Sequence, residues 1–156
     1  MKLQIGDIAP DFEFTDKEGN KRNFHSVEGN KIIFFFPKAF TAGCTRESCS
    51  IRDNYKDIKQ KGISEVFGVS TDDHEKQERF IKQYNLNFVL VEDKSKNISK
   101  DYGVLLHAVV INVAKRCTFV VDENNKIVEA TNIGMTGSHT KYGLKNYGKE
   151  LLELNF

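Results

Sequence analysis

The residues best suited to chemistry lie between positions 34 and 49, where an apolar aromatic run leads through a proline-containing loop to Cys44. Cysteine reacts as its thiolate, and a free thiol has a pKa of about 8.5. A helix beginning at Cys44 would stabilise the thiolate through its unpaired backbone N–H groups and its positive dipole end. Gly43 would allow close backbone approach, and the Thr41 hydroxyl can donate to the sulfur or to a bound oxygen. The pattern predicts a reactive thiolate; the alternative is that Cys44 is a small buried core residue.

Cys49 follows Cys44 by five residues and gives this thiolate a nearby partner. In an ideal helix, five residues correspond to a rise of roughly 7.5 Å and a rotation of about 140°, which separates the two Cα atoms by roughly 8.6 Å. A disulfide requires Cα atoms within about 7 Å of each other. We therefore expect that the two cysteines cannot bond while the helix is intact. A disulfide between them would require the first turns to unwind, and it should be easy to reduce.

Other kinds of cysteine site fit the sequence less well. Half of a zinc site could be built on Cys-x4-Cys, but no second Cys/His pair has zinc spacing, and His74 stands alone 25 residues beyond Cys49. The Cys-x-x-Cys motif of thioredoxin-type oxidoreductases is absent. Arg46 could contact the thiolate or lie in solvent on a polar helix. The histidines are scattered, and surface or packing roles are expected for them: His25, His74, His107 and His139.

The elements that must position these cysteines alternate between strands and helices. Strand patterns are predicted at 11–15, 22–24, 31–36, 65–70, 88–91, 117–121 and 126–133. Helix patterns are predicted at 44–61, from Asp72 or Asp73 to 84, at 96–102 and at 140–154. The run from 105 to 113 is interpreted as a pocket wall or a contact surface. Together these elements predict an α/β sandwich around a mixed sheet, with an N-terminal hairpin and a right-handed, parallel first crossover.

Length and composition exclude several classes of protein. A chain of 156 residues is expected to form one domain, covering positions 1–156. The net charge of +1, without a basic stripe or acidic tail, argues against a nucleic-acid partner. Three cysteines are too few for a secreted disulfide scaffold, and the N-terminus lacks a signal-peptide pattern. The longest apolar run, Val104–Val113, is much shorter than the ~20 residues of a membrane span. We expect a soluble cytoplasmic protein, in which a close cysteine pair is catalytic or metal-binding.

The cysteine segment resembles that of the peroxiredoxins. Pro37, Thr41 and Cys44 match the Pro-x3-Thr-x2-Cys signature of this family. The resemblance is to the bacterioferritin-comigratory-protein, or peroxiredoxin Q, group, which often places a resolving cysteine five residues later, as at Cys49. The segment Arg116–Asp122 looks like the strand that carries the active-site arginine of the family. The similarity spans the whole chain.

The resemblance implies a role for each of six residues. They are Cys44 (peroxidatic), Cys49 (resolving), Thr41 and Arg116 (polarising the peroxide), Pro37 (shielding the pocket) and Glu47 (orienting the arginines). Arg116 also suits the chemistry, since a guanidinium stabilises both a thiolate and a developing oxyanion. Two positions depart from the family pattern. Ala42 replaces the usual proline, which would loosen the loop, and Cys117 replaces the usual serine or threonine, either as a buried substitute or as a third redox thiol.

A thioredoxin fold and a thiol-dependent peroxidase activity are what the resemblance implies. The Cys44 thiolate would attack hydrogen peroxide or an organic hydroperoxide and become a sulfenic acid. Cys49 would then form an intramolecular disulfide with Cys44, which thioredoxin or a similar dithiol protein would reduce. No metal or organic cofactor is expected, and the chain should be a monomer or a weak homodimer. The alternative is a non-enzymatic redox sensor, or a redox-regulated binding module, that uses the same cysteine pair.

Overall fold

The computed structural model describes residues 3–107, 112–132 and 143–154. Its strands in these ranges are β1 Glu13–Thr15, β2 Lys21–Asn23, β3 Asn30–Phe35, β4 Ile63–Ser70, β5 Val89–Glu92, β6 Leu105–His107, β7 Asn112–Ala114, β8 Cys117–Val121 and β9 Ile127–Asn132. The helices are α1 Ala42–Gln60, α2 His74–Tyr84, α3 Asn97–Asp101 and α4 Tyr147–Leu151, with 3-10 turns at Phe24–Ser26 and Leu144–Asn146. Five strands form a sheet in the order β5-β4-β3-β8-β9, and the pairs β1–β2 and β6–β7 form separate two-stranded sheets.

The central strand β3 is buried on both faces, as its continuous apolar sequence predicts. Ile32 and Phe34 pack into one apolar cluster, whereas Ile33 and Phe35 pack into the other, because successive side chains of a strand point to opposite faces. Strand β3 pairs in parallel with β4 and antiparallel with β8. The predicted parallel crossover through α1 and the mixed sheet are therefore confirmed.

Helices α1, α2 and α4 cover one face of the sheet, and the N-terminal hairpin with α3 covers the other. Ile51 of α1, Phe80 of α2 and Leu151 of α4 belong to the first apolar layer. Phe14 of β1 and Tyr102, directly after α3, belong to the second. The antiparallel pairing of β1 and β2 confirms the predicted hairpin. This layered arrangement puts the loop between β3 and α1 at the carboxyl end of the central strand.

Helix α1 carries both Cys44 and Cys49 and is continuous from Ala42 to Gln60. It begins after Thr41, whose backbone is extended at φ −72° and ψ 152°. It ends before Gly62, which has a φ of +115° that glycine adopts without strain. The predicted end is therefore confirmed, and the helix begins two residues earlier than the sequence predicts.

Two predictions in the C-terminal half are wrong or incomplete. A single helix from 140 to 154 is not formed in the described residues, where a 3-10 turn at Leu144–Asn146 leads into the five-residue α4; residues 140–142 lie outside the described part. Gly143, at φ +75°, and Gly148 weaken the helical pattern, since glycine is unfavourable in a helix. The prediction is incomplete for the run from 105 to 113, where strand β6 and the start of β7 pair antiparallel; residues 108–111 are outside the described part.

Across the described ranges, none of the helices combines the length and apolar character that crossing a membrane requires. The longest, α1, has 19 residues. It carries charged side chains on its exposed face and faces the sheet with Ile51 and Ile58. Its amphipathic pattern is that of a helix packed on a sheet.

Lys31 is a fully buried lysine at the end of β3 opposite the cysteine loop. Its Nζ donates to the Phe24 carbonyl at 3.2 Å and to the Asn125 side chain, and it lies 4.3 Å from the centroid of the Phe24 ring. Burial lowers the pKa of Lys31 to about 8, although the charges of Asp11 and Asp122 partly oppose this shift. The amine therefore links the N-terminal hairpin, the central strand and the β8–β9 turn at the cost of a buried charge.

We expect Lys31 to make the stability of the protein increase with pH in the alkaline range. Between pH values of about 8 and 10.5, the unfolded state binds more protons than the folded state, so the free energy of unfolding rises with pH. Below this window the amine is charged in both states and its burial cost is constant. Lys31→Met should remove roughly 2 kcal/mol of the increase, at about 1.4 kcal/mol per pKa unit with a discount for solvent screening. Urea unfolding at about pH 7.5 and about pH 10 measures the increase in the free energy of unfolding for each protein.

The matched control is Lys126→Met, which removes an exposed amine from the neighbouring turn. That variant should keep the wild-type pH slope. Equal pH slopes in the wild type and Lys31→Met would contradict the electrostatic role assigned to this lysine.

Candidate active site

Cys44 lies at the start of α1, directly beyond the loop that follows β3. It is the third residue of the helix, so the predicted position at a helix start is confirmed. Its side chain is fully buried in the apolar layer that contains Phe34, Phe36 and Leu144. A thiolate at this position faces the positive end of the helix dipole. The apolar surroundings keep bulk water away from the sulfur.

Arg116 brings a positive charge to the sulfur from a distant part of the chain. It directly precedes β8, and Cys117 of β8 pairs with Phe35 at the carboxyl end of β3. Arg116 Nη2 donates to Cys44 Sγ at 3.2 Å, and Nη1 donates to Glu47 Oε1 at 2.7 Å. Arg116 is 3% exposed and Glu47 is fully buried. The guanidinium therefore connects the sulfur to a buried carboxylate.

The electrostatics of this buried group keep Arg116 charged, whereas burial works against charge on Glu47. Burial raises the pKa of Glu47 to about 7, although the charge and hydrogen bond of Arg116 act in the opposite direction. Burial also opposes the charge on Arg116, but the negative charges of Glu47 and Cys44, with their hydrogen bonds, raise its pKa overall. Arg116 therefore stays cationic beside the sulfur, where it can stabilise a thiolate or a developing oxyanion.

Gly43 allows the close approach that its position suggests. A Cβ at this residue would lie 3.0 Å from Leu144 Cδ1 and 3.3 Å from Arg116 Nη2. A side chain at position 43 would therefore press against both Arg116 and Leu144. Glycine before Cys44 keeps room for the guanidinium.

Thr41 and Pro37 belong to the loop before Cys44. Pro37 is buried directly after Phe36. The Thr41 hydroxyl is exposed and donates to the Lys38 carbonyl at 2.8 Å. The hydroxyl therefore bonds within its own loop in this structure rather than to the sulfur.

Phe40, in the loop before Cys44, packs outward against α2 rather than among the buried apolar residues around Cys44. Its ring packs edge-on against Phe80 at 5.2 Å and lies near Tyr84 at 6.3 Å, both on α2. The side chain is 38% exposed, and its backbone has a φ of +66°. A positive φ is costly for an aromatic residue, and the packing against α2 offsets this cost. The loop thereby turns Phe40 outward before the helix begins.

The three cysteines are free thiols in different environments. Cys49 is partly exposed and lies on the same unbroken helix as Cys44, as expected from their spacing. Cys117 is buried in the apolar layer on the opposite face of the sheet from Cys44. This location supports the interpretation of Cys117 as a buried substitute for serine or threonine. Arg46 is exposed, which agrees with a solvated side chain.

Asp72, for which the sequence suggests only a possible helix cap, supports the loop. Asp73 is the N-cap of α2, with its carboxylate accepting from the Lys76 backbone N–H at 2.8 Å. Asp72 instead accepts from the Ala39 backbone N–H at 2.7 Å and from the Ser70 hydroxyl at 2.8 Å. It follows the carboxyl end of β4, beside the end of β3. Because β3 and β4 pair in parallel, the residues that follow their carboxyl ends lie at the same edge of the sheet. The predicted parallel pairing could therefore have indicated this contact.

Within residues 3–107, 112–132 and 143–154, no group of three His, Cys, Asp or Glu residues is arranged to hold a metal ion. His25 Nε2 contacts the Ala9 carbonyl at 2.6 Å, and His74 contacts Glu78 on α2 at 3.1 Å. The His107 side chain and His139 lie outside the described part.

The sequence and the fold are similar to those of known proteins. The sequence model of the AhpC/TSA family matches residues 5–130. Peroxiredoxin Bcp of Escherichia coli K12 is 34% identical over 142 residues, which cover 88% of this chain and 90% of the relative. The crystal structure of peroxidoxin BcpB from Mycobacterium tuberculosis has a TM-score of 0.81 at 27% identity and covers 97% of this chain and 95% of its own.

A PrxQ mutant from Xylella fastidiosa has a TM-score of 0.82 at 20% identity, covers 98% of this chain and 95% of its own, and supports the fold alone. The family model, the curated relative and the structural matches agree over most of the chain. The sheet between two apolar layers is that of the thioredoxin fold, and the enzyme is a thiol-dependent peroxidase. The chain therefore belongs to the AhpC/TSA family and is a peroxiredoxin related to the Bcp and peroxiredoxin Q group.

Proposed function

We propose that Cys44 is the peroxidatic cysteine of this peroxidase. The observation that carries the proposal is the hydrogen bond from Arg116 Nη2 to the buried Cys44 Sγ at 3.2 Å. The thiolate attacks the terminal oxygen of the peroxide, an S–O bond forms and the O–O bond breaks. The sulfur is oxidised by two electrons to a sulfenic acid, and the peroxide is reduced to water or an alcohol after solvent protonates the leaving oxygen. Arg116 stabilises the negative charge on the reactant and on the leaving oxygen.

Three further residues prepare this step. Glu47 holds Arg116 Nη1 through the 2.7 Å ion pair between two buried side chains, while Nη2 donates to the sulfur. Pro37 shields the pocket from water. The Thr41 hydroxyl, which now donates to the Lys38 carbonyl, would turn to donate to a bound peroxide oxygen. These three roles follow the family resemblance, and their locations in the loop and in α1 are compatible with them.

Cys49 is proposed as the resolving cysteine. Its thiolate attacks the sulfur of the sulfenic acid, an S–S bond forms, and hydroxide leaves and is protonated to water. The two cysteines lie on one continuous helix, where five residues separate their Cα atoms by roughly 8.6 Å, beyond the disulfide limit of about 7 Å. The first turns of α1 therefore unwind before the bond can form.

The catalytic cycle closes when a dithiol protein, for which we propose thioredoxin, reduces the Cys44–Cys49 disulfide. The substrates proposed are hydrogen peroxide and organic hydroperoxides. We further propose that residues 1–156 act as one domain in the cytoplasm, as a monomer or a weak homodimer. The partial exposure of Cys49 supports access of a protein reductant to the disulfide.

Oxidation with one equivalent of hydrogen peroxide should give a monomeric Cys44–Cys49 disulfide. Peptide mapping by mass spectrometry identifies the bond. Amide exchange across residues 44–51 should accelerate in the oxidised protein, since the helix hydrogen bonds of these turns are lost. The segment from 52 to 60 provides the internal control and should retain its protection.

Two results would overturn parts of this proposal. A bond from Cys44 to Cys117, or to a second chain, would show that the resolving cysteine is wrongly assigned. Equal exchange of residues 44–51 in the two redox states would remove the unwinding step even if the disulfide is correct.

A further inference from the structure

Arg52 follows Cys49 by three residues on α1 and is held by the loop between α2 and β5. Its Nη1 donates to the Tyr84 carbonyl at 2.6 Å, and its own backbone carbonyl accepts from Asn87 Nδ2 at 3.2 Å. Tyr84 is the last residue of α2, where carbonyl groups lack helical partners and the dipole end is negative, so a cation is favourable there. Arg52 is therefore fixed through both its side chain and its backbone.

The side chain of Arg52 brings a positive charge close to Cys49. Residues three apart on a helix are neighbours, with Cβ atoms about 5–6 Å apart. Because long helical side chains lean toward the N-terminus, Arg52 leans back over the turn that carries Cys49. By the same rule Arg46, three residues before Cys49, leans away from it. The Arg52 side chain is 29% exposed and Cys49 is partly exposed, so solvent screens their interaction only in part.

The charges around Arg52 act in opposite directions on Cys49. The Nε of Arg52 donates to Asp53 Oδ1 at 2.9 Å. This hydrogen bond and the negative charge of a Cys49 thiolate raise the pKa of Arg52, although partial burial opposes the shift. Since the attraction acts on both partners, the guanidinium favours the thiolate form of Cys49, and the Asp53 carboxylate opposes it. The groups that reach Arg52 from the α2–β5 loop are the carbonyl of Tyr84 and the amide of Asn87, which are neutral.

The anchors of Arg52 do not depend on the turns that unwind before the disulfide forms. Those turns lie between residues 44 and 51, and Arg52 is the next residue of the helix. Both of its anchors, Tyr84 and Asn87, lie outside α1. They remain when the first turns open. Cys49 then stays joined to Arg52 by two intervening residues, so the positive charge stays within reach of its sulfur.

We propose that Arg52 is a positioning residue of the resolving step, which holds a positive charge beside Cys49 and keeps a larger share of its sulfur ionised for attack. The inference rests on the proposed role of Cys49. In this step Cys49 has lost its proton to solvent, an S–S bond forms to Cys44, and the S–O bond of the sulfenic acid breaks. The leaving hydroxide takes a proton from solvent. Arg52 thus serves the second sulfur as Arg116 serves the first.

The test compares Arg52→Met, which removes the charge and keeps an apolar stem, with Arg46→Met as the matched control. Disulfide formation is timed by rapid mixing with one equivalent of hydrogen peroxide, quenching with an alkylating reagent and mass spectrometry. At about pH 7, Arg52→Met should form the disulfide about threefold more slowly than the wild type, and Arg46→Met should not. At about pH 10 all three rates should coincide, because the Cys49 thiol is then ionised in each protein.

A loss of rate in Arg52→Met that is equal at the two pH values would assign Arg52 a purely structural role and overturn the proposal. An equal loss in Arg46→Met and Arg52→Met would overturn it as well, since the effect would not depend on which side of Cys49 the charge lies.

Alkylation of Cys49 in the reduced proteins by a neutral thiol reagent provides a second readout that requires no disulfide. Its pH profile should move to higher pH by about half a unit in Arg52→Met. Arg52→Lys, which retains the charge, should restore most of the wild-type profile. If Arg52→Met does not fold, Asp53→Asn supplies the test, because removal of the opposing charge should move the profile to lower pH.

Coincident alkylation profiles of the wild type and the variants would overturn the role assigned to Arg52. A wild-type protein that forms no Cys44–Cys49 disulfide would instead overturn the proposed function. In that case the alkylation profiles still decide whether Arg52 favours the thiolate of Cys49.

Discussion

Replacing Cys44 by serine should abolish peroxide consumption, lowering turnover at least about 1000-fold, because a neutral hydroxyl is a weak nucleophile toward the O–O bond. The fold should survive, since the side chain keeps its shape and the Arg116–Glu47 ion pair remains. Steady-state consumption of hydrogen peroxide with thioredoxin, its reductase and NADPH measures the loss, and circular dichroism verifies the fold. Appreciable turnover in Cys44→Ser would show that another group attacks the peroxide.

Cys117→Ser is the matched control for this experiment. It makes the same chemical change to a buried cysteine that lies on the opposite face of the sheet. Its peroxide consumption should stay within about twofold of the wild type, as is usual for a residue outside the reacting group. The same assay addresses the sensor alternative, since a sensor would be oxidised once without turning over. Loss of turnover in both variants would place Cys117 in the redox cycle.

Arg116→Ala should slow the reaction of Cys44 with peroxide by about 100-fold or more, the usual effect of removing one charge-stabilising donor from an active site. Loss of the guanidinium disfavours the thiolate, so the pH profile of alkylation by a neutral thiol reagent should move to higher pH. Arg46→Ala is the matched control, because Arg46 is an exposed arginine only two residues from Cys44. Its profile should coincide with that of the wild type. An Arg116→Ala profile that also coincides would show that the helix terminus alone activates the sulfur.

Removal of Arg116 also leaves Glu47 buried without its ion-pair partner, which costs about 3–5 kcal/mol of stability for a buried pair. The double variant Arg116→Ala/Glu47→Gln separates this structural cost from the chemical one. It should recover part of the lost free energy of unfolding, because the buried carboxylate is gone. Its reaction with peroxide should remain slow, since the positive charge near the sulfur is still missing. Recovery of the reaction rate in the double variant would show that Arg116 serves mainly to neutralise Glu47.

Local patterns were sufficient to predict the elements closest to the cysteines. The buried strand β3 follows from six consecutive residues of suitable composition, and α1 from apolar residues at helical spacing with Gly62 after its end. Such signals depend on neighbours within one or two turns of chain, which the sequence contains. The expectation that Cys44 and Cys49 share an unbroken helix follows in the same way. The predicted helix at 140–154 failed because glycines interrupt its pattern, and packing against α1 determines the conformation there.

The sequence by itself determined the thiol chemistry of this protein, through the signature that ends at Cys44 and the helical spacing to Cys49. Only the tertiary structure decided what surrounds the sulfur. Glu47 and Arg116 are 69 residues apart, and Ser50 and Gly148 are 98 residues apart, yet each pair is in hydrogen-bond contact. Such contacts depend on strand order and on which helix face is covered, and periodicity in a single sequence carries neither. Burial then makes these contacts strong, because charged and hydrogen-bonding groups that are removed from water must find partners within the protein.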